Sequence, residues 1–359
     1  MDPDRETYIP VFEKQMRGLF RAAIRLVVHD PRRAGYLLRA HKNLEKAAAR
    51  RRAAAERGLQ VPAVLLISVT DRCNLACEGC YARHRPRPEE PELTDDELRQ
   101  ILRDGRELGI GIVFFAGGEP LLRPGLVGIA REFPEIVFPV FTNGLLIDAG
   151  WLETFRREHN LVPILSLEGN APETDLRRGE GVYGRVRSTF QQLRKRGILA
   201  GCSLTITREN FDLVTGEAFV RELIGAGCHA FFFVEYVPIQ EGTEEKTLTG
   251  EQKIALIGIL DHYRETSQAL FIGFPGDETD FGGCLAAGRG FLHISATGRL
   301  EPCPFAPYSD SHLRKMPLRE ALKSSFLQTI RANHHRLEET RGGCALWQHR
   351  DWLESLLKE

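Results

Sequence analysis

From Val61 to Pro238 six short apolar runs alternate with amphipathic segments, and this alternation narrows the fold more than any other feature. The runs are Val61–Val69, Ile110–Ala116, Ile136–Thr142, Val162–Leu167, Leu199–Thr207 and Ala230–Pro238. Between them lie helix signals. Thr94 and Glu97 make a capping box for Asp95–Leu108, Asp148 opens another helix, and Tyr183–Gly197 and Phe211–Gly227 each end at glycine. Six strand–helix repeats imply an α/β fold of parallel strands with right-handed crossovers, closed partly into a barrel or laid out as an open sheet. In either arrangement the chemistry belongs at the carboxyl ends of the strands.

Directly after the first run stand Cys73, Cys77 and Cys80, at C-x3-C-x2-C spacing in a loop that also holds Asn74 and Gly79. Thiolates this close converge on one soft metal centre, and iron–sulfur clusters are held by such thiolates. Ordinary buried thiols are the plainer alternative. Three ligands leave one iron of a four-iron cluster open, where a small molecule binds. After the second run comes Gly117-Gly118-Glu119-Pro120: the glycines let backbone approach a ligand, and Glu119 supplies an acceptor for a cation. Thr142-Asn143-Gly144 follows the third run, and Ser166 and Glu168 share one strand face at the end of the fourth.

Composition agrees with a metal site in a reducing compartment. The chain of 359 residues has a formal net charge of −1, which exerts no global pull toward nucleic acid or membrane. No apolar run reaches bilayer-spanning length. The beginning, MDPDRETYIPVFEK, is acidic and proline-broken, unlike a secretory signal. Eight cysteines clustered with glycines then favour metal ligation in the cytoplasm over disulfides. Residues 10–58 read as two helices. The first carries an apolar stripe of Phe12, Met16, Leu19, Phe20, Ala23 and Val27, and the second runs from Asp30-Pro31 to a stop at Gly58. The second is strongly basic over Ala47–Arg57. It reads as a cap on the barrel with a solvated arginine face, or as a contact surface for a partner or a membrane.

The cysteine spacing and the four strand-end elements together resemble the radical S-adenosylmethionine (radical SAM) superfamily. The resemblance implies a partial (β/α)6 TIM-like barrel over 61–268, after an N-terminal helical region, 1–60. It implies that Cys73, Cys77 and Cys80 ligate a [4Fe-4S] cluster whose open iron binds S-adenosylmethionine. By the same resemblance the Gly117, Gly118, Glu119, Pro120 stretch receives the cofactor's amino group, Ser166 and Glu168 bind ribose hydroxyls with Asn143 nearby, and Arg178 of D-x-x-R-G meets the carboxylate. The family usually places an aromatic just before the third cysteine, over the adenine. Here that position is Gly79, and the aromatic, Tyr81, comes just after it.

Beyond the barrel, Thr249 and Gln252 cap a further helix, and Phe291–Cys303 reads as a hairpin turning at Ala296-Thr297-Gly298. Cys284 and Cys303 flank it in a C-x13-G-x4-C arrangement, with Cys344 further on. These resemble the SPASM/Twitch extension, in its shorter form, over 269–359. They imply an auxiliary [4Fe-4S] cluster, with His293 or His349 as side chains for its remaining iron. Cys202 and Cys228 read as structural thiols.

The expected function is that of a radical SAM enzyme abstracting hydrogen from a peptide or protein, with the auxiliary cluster binding or oxidising the substrate. A lipid, sugar or other small metabolite is the alternative substrate. A non-catalytic iron–sulfur carrier or redox sensor is the alternative class. Flavodoxin or ferredoxin is the expected electron donor.

Overall fold

The computed structural model describes residues 31–86, 89–275, 283–337 and 344–358; the first expected helix, over 10–27, lies outside them. Six parallel strands follow the six apolar runs: β1 (Val64–Thr70), β2 (Ile112–Gly117), β3 (Phe138–Thr142), β4 (Leu161–Leu167), β5 (Ala200–Ile206) and β6 (Cys228–Glu235). Three more extend the sheet: β7 (Leu270–Phe274), β8 (Phe291–Ile294) and β9 (Leu300–Glu301). The order is β7-β6-β5-β4-β3-β2-β1-β8-β9, and only the last pairing is antiparallel. The expected six-stranded partial barrel is therefore longer than six strands. β7 joins β6, and the expected hairpin joins β1 in parallel, with Val64–Ile67 opposite Phe291–Ile294.

Strand alternation separates two environments. In β1, Leu65, Ile67 and Val69 are almost fully buried against the helices, whereas Val64 and Leu66 face the barrel interior. The outer layer is a continuous apolar core in which Phe115 stacks on Phe138 at 4.7 Å and Phe231 on Phe271 at 4.9 Å. Each fully buried side chain of this kind stabilises the fold by about 2 kcal/mol. The inner face carries a second aromatic group: Phe114 meets Phe141, Phe232 and Phe274 at centroid distances of 5.3, 5.9 and 6.4 Å.

Local signals place the helices. Asp95–Leu108 starts at the expected capping box, buries Leu98, Ile101, Leu102 and Leu108 on one face, and ends at left-handed Gly109. Gly250–Thr266 starts at the Thr249/Gln252 box. The expected helix Phe211–Gly227 is divided into Phe211–Thr215 and Glu217–Ala226, because Gly216 adopts an extended conformation. Helix Pro31–Glu56 matches the second N-terminal helix. It closes the amino-terminal mouth of the barrel with Tyr36, Leu37 and Ala40. Two of its arginines are engaged by the barrel: Arg50, still exposed, and half-buried Arg51 donate to Arg106 O and Gly109 O, at 2.8 and 2.7 Å, capping the carboxyl end of Asp95–Leu108. Among the described residues no helix is long and apolar enough to cross a membrane.

Candidate functional site

The cysteine loop leaves β1 at Thr70 and is fastened at both ends. Glu92 accepts from Thr70 Oγ1 at 2.9 Å and from Asp71 N at 2.8 Å. Glu78 N donates to Arg177 O and Arg177 Nε returns to Glu78 O, both at 3.0 Å, while Lys246 Nζ holds the Glu78 carboxylate at 2.5 Å. The three thiols are exposed or half-buried and close enough for the charge of each to act on the next. Burial pushes Cys73 and Cys77 up, an effect that Arg178 opposes at Cys77.

The paired glycines serve the loop's own backbone. A Cβ on Gly117 would stand 2.4 Å from Thr70 O, and one on Gly118 2.1 Å from Arg72 O. With hydrogen in those places, Gly118 N and Glu119 N donate to Thr70 O and Arg72 O at 2.7 and 2.8 Å. Pro120 then begins a tight turn that Glu119 caps. The Glu119 carboxylate is 1 % exposed and accepts from Leu121 N (3.0 Å), Thr142 Oγ1 (2.7 Å) and Asn143 N (2.8 Å). Burial raises its pKa against those three donors. Asn143 Nδ2 reaches Asn74 Oδ1 at 2.7 Å, so β3 also grips the cysteine loop. The role of Thr142 as an anchor for Glu119 is invisible from spacing alone.

Ser166 and Glu168 lie at the end of β4, as strand alternation requires. Ser166 lines the cavity. Glu168 is 2 % exposed; its Oε1 takes Arg178 Nε at 2.8 Å and Arg177 Nη1 at 2.6 Å, whereas its Oε2 is buried with no hydrogen-bond partner. Both arginines close the helix Ala171–Arg178, so D-x-x-R-G is folded back onto β4. Sequence reasoning singled out Arg178 and missed Arg177, which latches both Glu168 and the cysteine loop.

Gly79 takes the left-handed conformation, φ +59°, and a Cβ there would lie 2.6 Å from the hydroxyl of Tyr236. The aromatic beside the third cysteine thus comes from the end of β6. Its hydroxyl donates to Thr243 Oγ1 at 3.0 Å. Tyr81 points the other way, edge-on to Phe305 at 5.1 Å, beside the second cysteine set.

That second set is buried. Burial first, then the neighbouring Cys344 and Cys284, push the Cys303 thiol well up. His293 does not turn to these thiols: Ser68 and Glu301 take its two ring nitrogens. Cys202 and Cys228 stay in the outer core on β5 and β6. Both cysteine sets open onto one cavity of about 1070 Å³ inside the barrel. Among the described residues no three His, Cys, Asp or Glu side chains close on a single ion. Thiols spaced more widely suit the separate irons of a cluster.

Comparison with known proteins gives the family. The family model for the radical SAM superfamily matches residues 67–211, from within β1 through the cysteine loop to the start of the helix that follows β5. The GTP 3',8-cyclase of Alkaliphilus metalliredigens is 40% identical over 264 residues, 66% of this chain and 79% of that protein. The AdoMet-dependent heme synthase of Methanosarcina barkeri is 26% identical over 318 residues, 80% of this chain and 89% of that protein. Among solved structures, Streptococcus suis SuiB bound to precursor peptide SuiA superposes with a TM-score of 0.62 at 17% identity, over 88% of this chain and 76% of SuiB. The chain belongs to the radical SAM superfamily. It is a radical SAM enzyme, and it uses the family's [4Fe-4S] cluster and S-adenosylmethionine. A non-catalytic carrier is set aside.

Proposed function

We propose that this enzyme takes hydrogen from a substrate whose apolar, ring-bearing part enters the barrel, and that carboxylated tetrapyrroles are the first substrate class to test. The cavity carries this reading. At about 1070 Å³ it reaches or exceeds the roughly 300–1,000 Å³ of a single-ligand pocket, so it has room for a substrate beside S-adenosylmethionine. Its interior wall is aromatic: Phe114, Phe141, Phe232, Phe274 and Phe291. The similarity to a heme synthase over most of both chains supports the same choice.

In this reading Cys73, Cys77 and Cys80 hold the cluster. Bound there and reduced, the cluster would supply the electron for reductive cleavage of S-adenosylmethionine, the chemistry that hydrogen abstraction needs. Glu119, fixed by Thr142 and Asn143, offers negative charge to the cofactor's amino group beside Gly117, Gly118 and Pro120. The unpartnered Oε2 of Glu168 fits a ribose hydroxyl, since a buried acceptor without a donor calls for one. Ser166 supplies a second polar contact on the same face. Arg178 and Arg177 hold the Glu168 carboxylate in place, and the remaining donors of Arg178 would serve the cofactor carboxylate. Gly79 exposes backbone to the adenine, with Tyr236 rather than Tyr81 as the neighbouring ring. Cys284, Cys303 and Cys344 hold an auxiliary cluster facing the substrate.

We keep the division into a helical region (1–60), a barrel (61–268) and an auxiliary module (269–359), with a flavodoxin- or ferredoxin-type donor in the cytoplasm. Helix Pro31–Glu56 offers a partner or a membrane surface its exposed basic side chains, Arg39 and Lys42 among them.

The second reading is a peptide substrate, supported by the similarity in fold to SuiB bound to its precursor peptide. The test is 5'-deoxyadenosine formation after reduction, with iron-bound carboxylated tetrapyrroles or with short peptides encoded beside the gene. Stimulation and a shifted Soret band with the macrocycle support the first reading. Stimulation by a peptide alone overturns it in favour of the second.

A further inference from the structure

Behind the two cysteine sets runs a line of buried polar side chains that neither cluster uses. His293, on β8, is fully buried; its Nε2 meets Ser68 Oγ at 2.8 Å and its Nδ1 meets Glu301 Oε2 at 2.7 Å. Arg85 closes on the same Glu301 carboxylate and donates to Pro304 O at 2.7 Å, with its Nη1 3.3 Å from His293 Nδ1. Burial first, then Arg85, presses the His293 pKa down to about 4 against the pull of Glu301, so the ring is neutral. Glu301 can only accept, which puts the proton on Nδ1 and leaves Nε2 to accept from the Ser68 hydroxyl.

Chain positions give this line its meaning. Ser68 precedes Cys73 by five residues and Arg85 follows Cys80 by five. Glu301 precedes Cys303 by two, and Pro304 follows it directly. The β1–β8 ladder pairs Val64–Ile67 with Phe291–Ile294, and the polar line fastens the chain segments that leave that ladder. An apolar filling of the same volume would stabilise the junction as well as a buried ion pair does. A fully bonded polar line adds a fixed geometry.

We propose that Ser68, His293, Glu301 and Arg85 form a strut that holds the cysteine loop and the second cysteine set at one separation, so that iron loading at either site stabilises the other. The proposal rests on the two-cluster reading. The four residues are positioning residues, and the coupling is reciprocal because it is a free energy shared by two binding sites.

The test follows iron release to a chelator from the anaerobically reconstituted full chain, recording the cysteine-loop cluster by its paramagnetic signal. With the strut intact, Cys303→Ala should speed release from the loop by about tenfold, the scale of one buried hydrogen bond. In His293→Leu the loop should already release about tenfold faster, and adding Cys303→Ala should change nothing further. Ser68→Ala removes one end without stranding a charge and should act likewise if His293→Leu does not fold, while Ser68→Thr keeps the hydroxyl and the unsubstituted rate. A residue important only for folding would lower the melting temperature of the iron-free chain without abolishing the effect of Cys303→Ala. Loop release that is unchanged in both His293→Leu and Ser68→Ala overturns the strut. An unsubstituted chain that loads iron only at the loop removes the second site and the strut together. That failure is visible before any variant is made.

Discussion

The two cysteine sets are built in opposite ways. Cys73, Cys77 and Cys80 come from one loop, stand exposed or half-buried, and are held by neighbours at the ends of β1, β2, β3 and β4. Cys284, Cys303 and Cys344 are buried and gathered from three separated positions, around a hairpin whose β8 pairs with β1. A loop can present thiols with little help from the rest of the fold. A gathered set depends on every long-range contact that assembles it. The first set should therefore lose its iron content chiefly by losing a ligand, changes elsewhere altering only how fast it releases iron, whereas the second should lose its iron by losing packing as well.

The largest expected effect is that of Cys77→Ala. It should remove about four irons per chain and leave no detectable 5'-deoxyadenosine, while the circular dichroism of the iron-free chain stays unchanged. Retained cleavage of S-adenosylmethionine would sink the assignment of the loop. Cys303→Ala should also remove about four irons, but some cofactor cleavage should persist in the absence of product. Unchanged iron content in that variant would return the buried set to the status of core thiols.

Leu292→Ala tests the difference in construction. Leu292 lies on β8 with no exposed surface, and its truncation should cost about 3 kcal/mol of stability by denaturant titration. Iron at the second site should fall while iron at the loop is largely kept; equal losses at both sites would mean that the two sets are not separately built. Gly79→Ala tests the loop itself. Its left-handed φ and the Tyr236 hydroxyl 2.6 Å from the added methyl should together cost about 2 kcal/mol. Adding Tyr236→Phe removes that nearest atom and should recover part of the melting temperature. If it recovers nothing, backbone conformation alone sets the cost.

The legibility of the sequence follows the same division. Strands β1–β6, both capping boxes and the strand-end elements were readable because each depends on a period or a spacing within a few residues. β7 was not: Leu270–Phe274 is five residues long, and Gly273 weakens its pattern. The hairpin could be read from its turn, but its pairing with β1 could not, since edge pairing is decided by packing across some 220 residues of chain. Position by spacing found Glu119, Thr142, Glu168 and Arg178, but not the bond from Thr142 to Glu119, the pairing of Arg177 with Glu168, or Tyr236 beside Gly79. The polar line through His293 joins two chain segments more than 200 residues apart, and no local signal marks it.

Glu97 is where local and long-range construction meet in a single side chain. It completes the Thr94 capping box, accepting from Thr94 N at 2.7 Å, and it pairs with Arg314 Nε from the C-terminal segment at 2.7 Å. Arg314 above all, with the Thr94 donors, holds the Glu97 pKa at about 2, from an ordinary 4.5. A depressed pKa means that the ionised form stabilises the fold. The contribution is complete above pH 4.5 and is lost as pH falls from there toward 2. About a third of the side chain is exposed, at 34%, so screening leaves the pair worth about 1 kcal/mol. Glu97→Gln keeps a capping amide and discards the charge. It should therefore lower stability by about 1 kcal/mol at neutral pH, with the deficit against the unsubstituted chain shrinking to nothing as acid protonates Glu97 in both states. A deficit that persists at low pH would assign the loss to the capping geometry, and the helix start would then owe nothing to the C-terminal segment.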